Sequence, residues 1–442
     1  MTTAVTQPDM TREEVDLPTL PQGIGHLTRG WGVFVAIALA VVGFGTYAFM
    51  YQQSEGEIVT GLRNVGTMGG APWGLYVAFL VYFVGVSFAG ITIAALIRLF
   101  NLQALRPLAR MAELLTVVSL VLASIAILAD LGQPLRGIVN LFRYARPQSP
   151  FFGTFVLVIS GYLFASLVYL YLGSRRDAAI MARESTRLQG LHSFVAAGYT
   201  DTPAERDRHE RATFWLALAI LPMLIVAHST LGFVFGLQIG RPGWFSALQA
   251  PAFVVLAGVS GIGLLIVLAA VVRSVCDERD TLDEYVFAWL GRFLAVLTIA
   301  YLYFVLTELL TSTYAAGGRE ADVTDAILTG RYAWIFWGST ILFVVSLAGL
   351  LTQLLTKRWN IGTLVAIGIA VNLAAIGKRF LIVVPSQTDG MLLPYETGSY
   401  TPTWVEYGVV LGLIALGALA IAVFMKLIPI VELPEEVEAD AS

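Results

Sequence analysis

Ionisable side chains inside long apolar runs are the residues of this sequence best placed to do chemistry. Asp130, His228 and Glu308 each lie within or at the end of such a run, and Lys378 and Arg379 lie together near the end of another. A charge in hydrocarbon is costly, so these positions mark a site or a proton pathway by default. A histidine can accept a proton near neutral pH and a carboxylate can pass it on. These residue types suit a quinol, which is apolar, lipid-borne and releases protons on oxidation.

Each of these residues also has a simpler structural explanation. Asp130 is equally consistent with a helix-end residue that pairs with Arg136 near the headgroups. Lys378 and Arg379 have side chains long enough to reach the interface, although two adjacent cations cannot point the same way on a helix. His228, taken alone, is best explained as a hydrogen-bonded core residue.

Several classes of protein are excluded by residue counts. Cys276 is the single cysteine, so a disulfide framework, a thiolate metal cage and a cysteine-ligated iron–sulfur cluster are excluded. His228 is the single histidine within an apolar run, whereas a membrane b-type haem normally needs a facing pair, so a di-haem protein is also excluded. The net charge of −4 gives no indication of nucleic-acid binding. We therefore expect no metal, haem or iron–sulfur centre in this chain.

The elements that position these residues are predicted to be membrane-spanning helices. The chain is 57% hydrophobic and 13% charged, about half the charge of a soluble domain. Its apolar runs have the length of about 20 residues that a helix needs to cross a bilayer, and they lack the alternation of barrel strands. We predict an all-α fold with spans near residues 31–50, 73–99, 108–129, 150–173, 213–237, 251–273, 285–310, 332–355, 361–384 and 404–428.

A weak internal duplication suggests how the spans are grouped. Asp130 lies 58 residues after Pro72, and Glu308 lies 57 residues after Pro251, each pair running from a span start to the end of the next span. This pattern suggests two four-helix bundles of parallel orientation. The first would comprise 73–173 and 213–237 and the second 251–384, with flanking helices 31–50 and 404–428. Residues 1–30 and the acidic 429–442 are predicted tails, and 174–212 is predicted to be a solvated loop, with a surface helix as the alternative.

Orientation follows from the distribution of lysine and arginine. The side that carries both termini has 17 of these residues in its loops and span ends, and the opposite side has 7. The positive-inside rule then places both termini in the cytoplasm. In that orientation Asp130, His228, Glu308 and Lys378 all lie in the outer half of the membrane.

Several strings in the sequence carry a resemblance to a known family. They are GGAPWGLYVAF (69–79), ADLGQPLRGIVNLF (129–142), SPFFGTF (149–155), AHSTLGFVFGLQIGRPGWFSALQAPAF (227–253), LTELLTSTYA (306–315) and KRFLIVVP (378–385). Together they resemble the polysulfide reductase NrfD/PsrC family over spans two to nine. Ten spans resemble the longer branch of that family.

The resemblance implies a quinone-binding membrane anchor without a redox centre of its own. The bound substrate would be menaquinone or ubiquinone. Electrons would be exchanged with a ferredoxin-like iron–sulfur subunit on the outer face, connected to a molybdopterin oxidoreductase or a multihaem cytochrome subunit. The matching quinone-site positions are His228 and Asp130, with Pro72, Trp73 and Gly74 nearby.

Further positions take roles from the same resemblance. Arg136 and Arg241 would border the quinone site or contact the partner subunit, and Glu308, Lys378 and Arg379 are candidates for proton transfer in the second bundle. A different class of function, a secondary transporter, would place polar groups near the midplane at broken helices of two repeats. The polar groups here are predicted to lie at one face, which favours the quinone-linked subunit.

Overall fold

The structure is a computed structural model that describes residues 20–65, 72–144, 146, 148–149, 154–185, 187–315, 317–388 and 398–433. Within these residues it contains ten helices long and apolar enough to cross a membrane, and no β-strand. This confirms the predicted all-α membrane fold with ten spans. Spans 1 to 10 are Arg29–Glu55, Leu75–Ile97, Gln103–Asp130, Val156–Glu184, Pro203–Gly236, Gln249–Val275, Glu284–Tyr314, Ala333–Thr356, Ile361–Thr388 and Trp404–Leu427.

The spans between the first and the last pack in two groups of four. In the first bundle, spans 2, 3, 4 and 5 contact one another in sequence and span 5 returns to span 2. Spans 6, 7, 8 and 9 form the same closed ring in the second bundle. Span 2 also packs on spans 6 and 9, so it is the most deeply buried helix and lies between the bundles. An all-round apolar sequence is what such a central helix requires.

Spans 1 and 10 pair with each other outside the bundles, and span 10 packs on span 3. Their backbones approach closely where Gly45 meets Gly408 and Gly412, and a β-carbon at Gly45 would overlap the backbone of span 10. Small residues at such a crossing allow the van der Waals contact that joins helices in lipid. The pair therefore forms a separate two-helix layer against the first bundle.

The segment 174–212 differs from the predicted solvated loop. Span 4 continues to Glu184, a short helix covers Gln189–Ala196, and span 5 begins at Pro203. The short helix is attached to span 4 because Arg175 Nε donates to the carbonyl oxygen of Ala196 at 2.9 Å. Most of this segment is thus helical, and its charges lie on helices that extend beyond the predicted span limits.

Short helices lie in the connections at the predicted outer face. They cover Pro134–Tyr144 and Arg319–Leu328, and two 3-10 turns cover Glu57–Val59 and Gly61–Asn64. A separate short helix, Pro385–Thr388, forms the outer end of span 9. Most of the two predicted tails, residues 1–19 and 434–442, lies outside the described residues.

Candidate functional site

Trp73 lies just before the start of span 2, where both bundles meet. Its ring stacks on Trp244 with centroids 5.7 Å apart and meets the edge of Phe235 at 5.8 Å. The Gln387 side chain binds the Trp73 backbone twice, accepting from its N–H at 2.6 Å and donating to its carbonyl at 2.7 Å. Trp244 Nε1 in turn donates to the carbonyl of Ile382 in span 9. Trp73 is therefore held by both bundles at once.

Gly74, the next residue, is required by a close contact. A β-carbon there would overlap the hydroxyl of Tyr400, which accepts a hydrogen bond from the Leu75 N–H at 2.6 Å. The first amide donors of a helix need such partners, because they have none within the helix. Pro72 is exposed just before this contact. The structure thus places Trp73 and Gly74 together at the start of span 2.

His228 lies deeper, in the interior of the first bundle, and is 1% exposed. Its Nδ1 is 2.7 Å from the carbonyl oxygen of Leu224, and its Nε2 is 2.9 Å from that of Val84 in span 2. Carbonyl oxygens only accept, and a neutral imidazole has a single N–H, so both contacts are hydrogen bonds only when the ring carries two protons. The contact with one carbonyl therefore depends on the protonation state of His228.

The Val84 carbonyl is close to a break in span 2. Helix Leu75–Val86 ends at Ser87, and a second helix begins at Phe88. The Ser87 carbonyl accepts hydrogen bonds from Thr116 Oγ1 in span 3 and from the Tyr162 hydroxyl in span 4, both at 2.8 Å. Together with His228 of span 5, the three other helices of the first bundle each place a polar side chain at this break. Irregular backbone inside a membrane is tolerated only where protein satisfies it in this way.

Asp130 does not contact His228 within the described residues, and its neighbours are other acids. It is the last residue of span 3, and its Oδ1 has no hydrogen-bond partner in the described part of the chain. Glu57 and Glu406 lie close enough to Asp130 to interact with it electrostatically. We call Glu57, Asp130 and Glu406 the acid cluster.

The Gln52 side chain of span 1 connects Glu57 to the backbone beside Asp130. Gln52 Nε2 donates to Glu57 Oε1 at 2.8 Å and to the carbonyl of Ala129 at 3.1 Å, and its Oε1 accepts from the Tyr76 hydroxyl at 2.6 Å. Burial raises the pKa of Glu57 above its usual value, against a smaller opposing effect of the Gln52 hydrogen bond. Glu57 therefore keeps its proton to higher pH than a solvated glutamate.

Glu406 is buried, with 1% exposure. It accepts from the N–H groups of Gly61 at 2.7 Å and Thr403 at 2.9 Å, and from the Tyr400 hydroxyl. Burial, and then the nearby Glu406, raise the pKa of Tyr400. The Tyr400 hydroxyl thus connects the acid cluster to the start of span 2 beside Trp73.

In the second bundle, Lys378 and Glu308 form an ion pair, with Nζ 2.7 Å from Oε2. The Lys378 side chain is 12% exposed and that of Glu308 is 43% exposed. The pair borders a cavity of about 300 Å³ that spans 6, 7 and 9 form with helix Arg319–Leu328. Lys378 therefore has its charge balanced at the wall of a cavity near the predicted outer face.

Arg379 points the other way, towards span 2, where its Nη2 lies against Gly85. It is 1% exposed, and its guanidinium carbon is 4.3 Å from the centroid of the Phe253 ring. Its Nη2 reaches the Phe253 carbonyl at 3.5 Å, and its Nη1 has no hydrogen-bond partner among the described residues. Lys378 and Arg379 thus lie in different environments, although they are adjacent in the sequence.

Buried polar groups continue inward from this region along span 8. Ser339, Ser346 and Gln353 are buried and lie seven residues apart, so they share one face of the helix. Ser339 Oγ lies against Gly377, the residue before Lys378. The Ser346 hydroxyl, Gln353 Nε2 and the hydroxyl of Tyr301 in span 7 have no hydrogen-bond partner within the described chain. We call Ser339, Ser346, Gln353 and Tyr301 the polar stripe.

Arg136 and Arg241 lie in connections at the predicted outer face. Arg136 is exposed on the amphipathic helix Pro134–Tyr144, beside the exposed Leu135 and Val139. Arg241 is partly buried, its guanidinium carbon is 5.8 Å from the centroid of the Trp244 ring, and burial lowers its pKa. Arg241 is therefore next to the Trp73 contact, whereas Arg136 lies on an exposed helix.

Comparison with known proteins identifies the family. Residues 63–389 match the family model described as polysulphide reductase, NrfD. The chain belongs to the NrfD family. It is 32% identical over 429 residues to a putative dimethyl sulfoxide reductase membrane subunit of Halobacterium salinarum, an alignment that covers 92% of each chain.

Two other relatives of this NrfD protein have similar coverage. It is 25% identical to a selenate reductase subunit of Mesobacillus selenatarsenatis, over 89% of this chain and 93% of the relative. It is also 25% identical to the Hdr-like menaquinol oxidoreductase integral membrane subunit of Archaeoglobus fulgidus, over 90% and 93%.

Some residues of the candidate site lie within the family match and others lie outside it. Trp73, His228 and Asp130 lie within residues 63–389, as does the Glu308–Lys378 pair. The other two acids of the acid cluster come from outside the match, from the connection after span 1 and from span 10. The flanking spans of this NrfD chain therefore add carboxylates next to Asp130.

Several of these polar groups give no clear signal in the sequence. Thr116 and Tyr162 lie in otherwise apolar spans, and nothing in their local sequence indicates the break that they stabilise. Glu57 follows the first span in a polar connection, where an acid is ordinary. The seven-residue spacing along span 8 is the one available signal for the polar stripe, since polar residues at that spacing share a helix face.

Proposed function

We propose that this protein is the quinone-binding membrane subunit of a reductase complex that exchanges electrons with a partner subunit at the outer face. The observation that carries the proposal is the similarity, over about nine-tenths of both chains, to proteins named as subunits of reductases and of a menaquinol oxidoreductase. The junction of the bundles at Trp73 supports it, because aromatic rings at a helix junction suit a flat, apolar headgroup.

The quinone chemistry is assigned to the first bundle. We propose that His228 hydrogen-bonds a quinone oxygen by exchanging one of its two backbone carbonyl partners for it. Oxidation of a quinol releases two protons and two electrons, and the electrons pass to the partner subunit. Because His228 and Asp130 do not touch, the substrate would connect the two, with the Trp73 ring and Gly74 at the outer end. Menaquinone and ubiquinone both satisfy these requirements.

In this proposal both protons of the quinol leave in turn through the acid cluster. Asp130 accepts each proton, and Glu57 shares it at the predicted outer face. Carboxylates that lie close together favour holding a proton between them, since adjacent negative charges repel. The raised pKa of Glu57 supports such a role. In the reverse direction, when quinone is reduced, the same groups supply protons.

A second proton route is assigned to the second bundle. We propose that Glu308 and Lys378 exchange protons with the outer face through the cavity beside them, with Arg379 at the bundle junction. The polar stripe extends this route inward, because buried hydroxyl and amide groups that lack a protein partner favour water molecules that can carry protons.

The partner subunit would bind at the predicted outer face. An iron–sulfur protein of the ferredoxin type is expected there, linked to a molybdopterin oxidoreductase or a multihaem cytochrome. Arg136, with the exposed Leu135 and Val139, presents a surface of mixed apolar and positive character that suits such docking. Arg241 lies closer to the quinone site and would border it. Both termini would then lie in the cytoplasm of a prokaryotic cell.

The experiment is purification of the tagged protein from its native membrane in mild detergent, followed by quinone extraction and paramagnetic spectra. We expect co-purified quinone and an iron–sulfur signal that belongs to a separate polypeptide. A stable protein with neither quinone nor a redox partner would contradict the proposal and favour a secondary transporter, to be tested by solute uptake. Protein from a membrane in which the same tag sits on an unrelated transporter serves as the control.

A further inference from the structure

A cavity larger than the one beside Lys378 lies at the opposite end of the first bundle, and the proposed function does not use it. Its volume is about 820 Å³, and it opens among the predicted cytoplasmic ends of spans 2, 3, 4 and 5. Its inner wall is formed by apolar and aromatic side chains, including Ile97, Tyr169 and Phe214. This is large enough for a small organic ligand.

The mouth of the cavity is rich in arginine. Five arginines line the cavity: Arg106, Arg110, Arg176, Arg206 and Arg211. The lining also contains three carboxylates, those of Asp177, Glu210 and Glu432. The guanidinium group recognises phosphate through paired N–H donors, which a lysine cannot do. None of the lining residues is a lysine. The chemistry of the lining thus favours a phosphate group.

Arg110 shows that the inner part of this site is built rather than incidental. It is 1% exposed, and its Nη1 donates to Asp177 Oδ2 at 2.5 Å and to the Pro429 carbonyl at 2.9 Å. Its Nη2 donates to the Gly173 carbonyl at 2.6 Å. Its Nε has no hydrogen-bond partner in the described residues. Arg110 therefore fixes a positive charge at the inner wall of the cavity.

The arginines at the mouth differ in how their charges are balanced. Arg106 Nε is 2.9 Å from Glu432, and Arg206 binds Asp201 through Nε and Nη2. Arg211 Nε instead donates to the Asp207 carbonyl within its own helix. A carbonyl is neutral, so this hydrogen bond leaves the positive charge of Arg211 in place. Each guanidinium has five N–H groups, which allows a ligand oxygen to bind beside the protein contacts.

The position of the cavity relative to the membrane suits an amphipathic ligand. Phe214 lines the cavity, and the adjacent Trp215 is 65% exposed on the outside of span 5. Tryptophan is enriched at the level of the lipid headgroups. Basic pockets between helices at a cytoplasmic face are a recognised form of anionic-lipid site. The apolar wall and the arginines would then hold opposite ends of one molecule.

We propose that this cavity binds a phosphate-bearing anion, whose phosphate contacts the arginines at the mouth and whose remainder lies along the apolar wall. An anionic phospholipid and a free phosphate compound share this chemistry. The site is independent of quinone binding, and the test must separate the two sources.

The test compares a lining variant with a matched variant of the complete protein or complex. Arg206→Gln combined with Arg211→Gln removes two lining charges. Arg208→Gln combined with Arg279→Gln removes two exposed arginine charges that do not line the cavity. Each protein is reconstituted in nanodiscs of zwitterionic lipid, with and without phosphatidylglycerol, and separately with added inorganic phosphate. Bound lipid is counted by native mass spectrometry, and the midpoint of thermal unfolding is recorded.

We expect phosphatidylglycerol to raise the unfolding midpoint of the wild type and of the matched variant, and the lining variant to retain at least about three-fold less of this lipid. That result assigns the site to a lipid headgroup. A rise with inorganic phosphate in zwitterionic lipid alone, lost in the lining variant, assigns it to a soluble phosphate compound. Equal retention in both variants and no phosphate effect would overturn the proposal. Midpoints in zwitterionic lipid alone show whether the lining variant folds.

Discussion

The Glu308–Lys378 ion pair allows a prediction whose size depends on which partner is removed. The Lys378 side chain is 12% exposed, whereas that of Glu308 is 43% exposed. Glu308→Gln leaves a largely buried ammonium group without its carboxylate. Lys378→Met instead leaves a carboxylate that water can already reach. The two changes break the same 2.7 Å contact, but the charge that remains unpaired lies in a different environment in each variant.

The expected magnitudes follow from burial. Removing one partner of a buried pair costs about 3–5 kcal/mol, because the remaining charge is uncompensated. An exposed pair is worth about 0–1 kcal/mol. Since one partner here is buried and the other half-exposed, we expect Glu308→Gln to lower the free energy of unfolding by about 2 kcal/mol. Lys378→Met should cost less than about 1 kcal/mol, and the double variant should resemble Lys378→Met.

The assay is unfolding of the purified protein by dodecyl sulfate in mixed micelles, followed by tryptophan fluorescence. Glu320→Gln is a suitable control, because this acidic residue lines the same cavity on helix Arg319–Leu328. A cost for Lys378→Met equal to or larger than that for Glu308→Gln would refute the reasoning from burial. Additive costs in the double variant would show that the two side chains do not interact.

Three further predictions concern the acid cluster, the polar stripe and the start of span 2. Because burial raises the pKa of Glu57, its folded form holds a proton more tightly, so its stabilising effect is present below its usual pKa of 4.5 and is lost as pH rises through the raised value. Glu57→Gln should therefore flatten the fall in unfolding midpoint above pH 4.5. Tyr301→Phe should lower the protons translocated per electron at least about two-fold in proteoliposomes, with quinol oxidation unchanged. Gly74→Ala should lower the free energy of unfolding by about 1–3 kcal/mol through overpacking.

Each of these has a control on the same element or of the same type. Glu55→Gln changes an exposed acid two residues from Glu57 and should leave the pH dependence as it is. Tyr303→Phe removes a hydroxyl from a side chain that is 65% exposed, and proton translocation should persist. Gly338→Ala adds a methyl group where no neighbouring atom lies within 4 Å. Identical behaviour of a test variant and its control would contradict the corresponding prediction.

The length and composition of the apolar runs were sufficient to predict the ten spans. A span of about 20 apolar residues is a local property, and the membrane permits few other folds for it. The repeat of a proline and an acid, Pro72 to Asp130 and Pro251 to Glu308, suggested two groups of four spans. These features need no knowledge of which side chains meet.

The contacts of the candidate site depend on tertiary packing and were less predictable. The break at Ser87 is satisfied by Tyr162, 75 residues away in the chain. Glu57 and Glu406 lie far apart in the sequence, and both lie near Asp130. A surface helix within 174–212 was only the alternative prediction, because charged helices lack the apolar periodicity used to recognise spans. Polar pairing between distant helices leaves no local pattern.

The central claim, a quinone site that depends on His228 and Asp130, is tested most directly by one comparison. The His228→Leu, Asp130→Asn double variant is measured beside a His26→Leu, Asp207→Asn variant, in which the same residue types change at exposed positions. Bound quinone and quinol turnover are measured in the purified complex. Loss of a hydrogen bond to substrate costs about 1–1.5 kcal/mol or more, so we expect turnover to fall at least about five-fold in the first variant and to persist in the second. Unchanged quinone content and turnover in the first variant would contradict the claim.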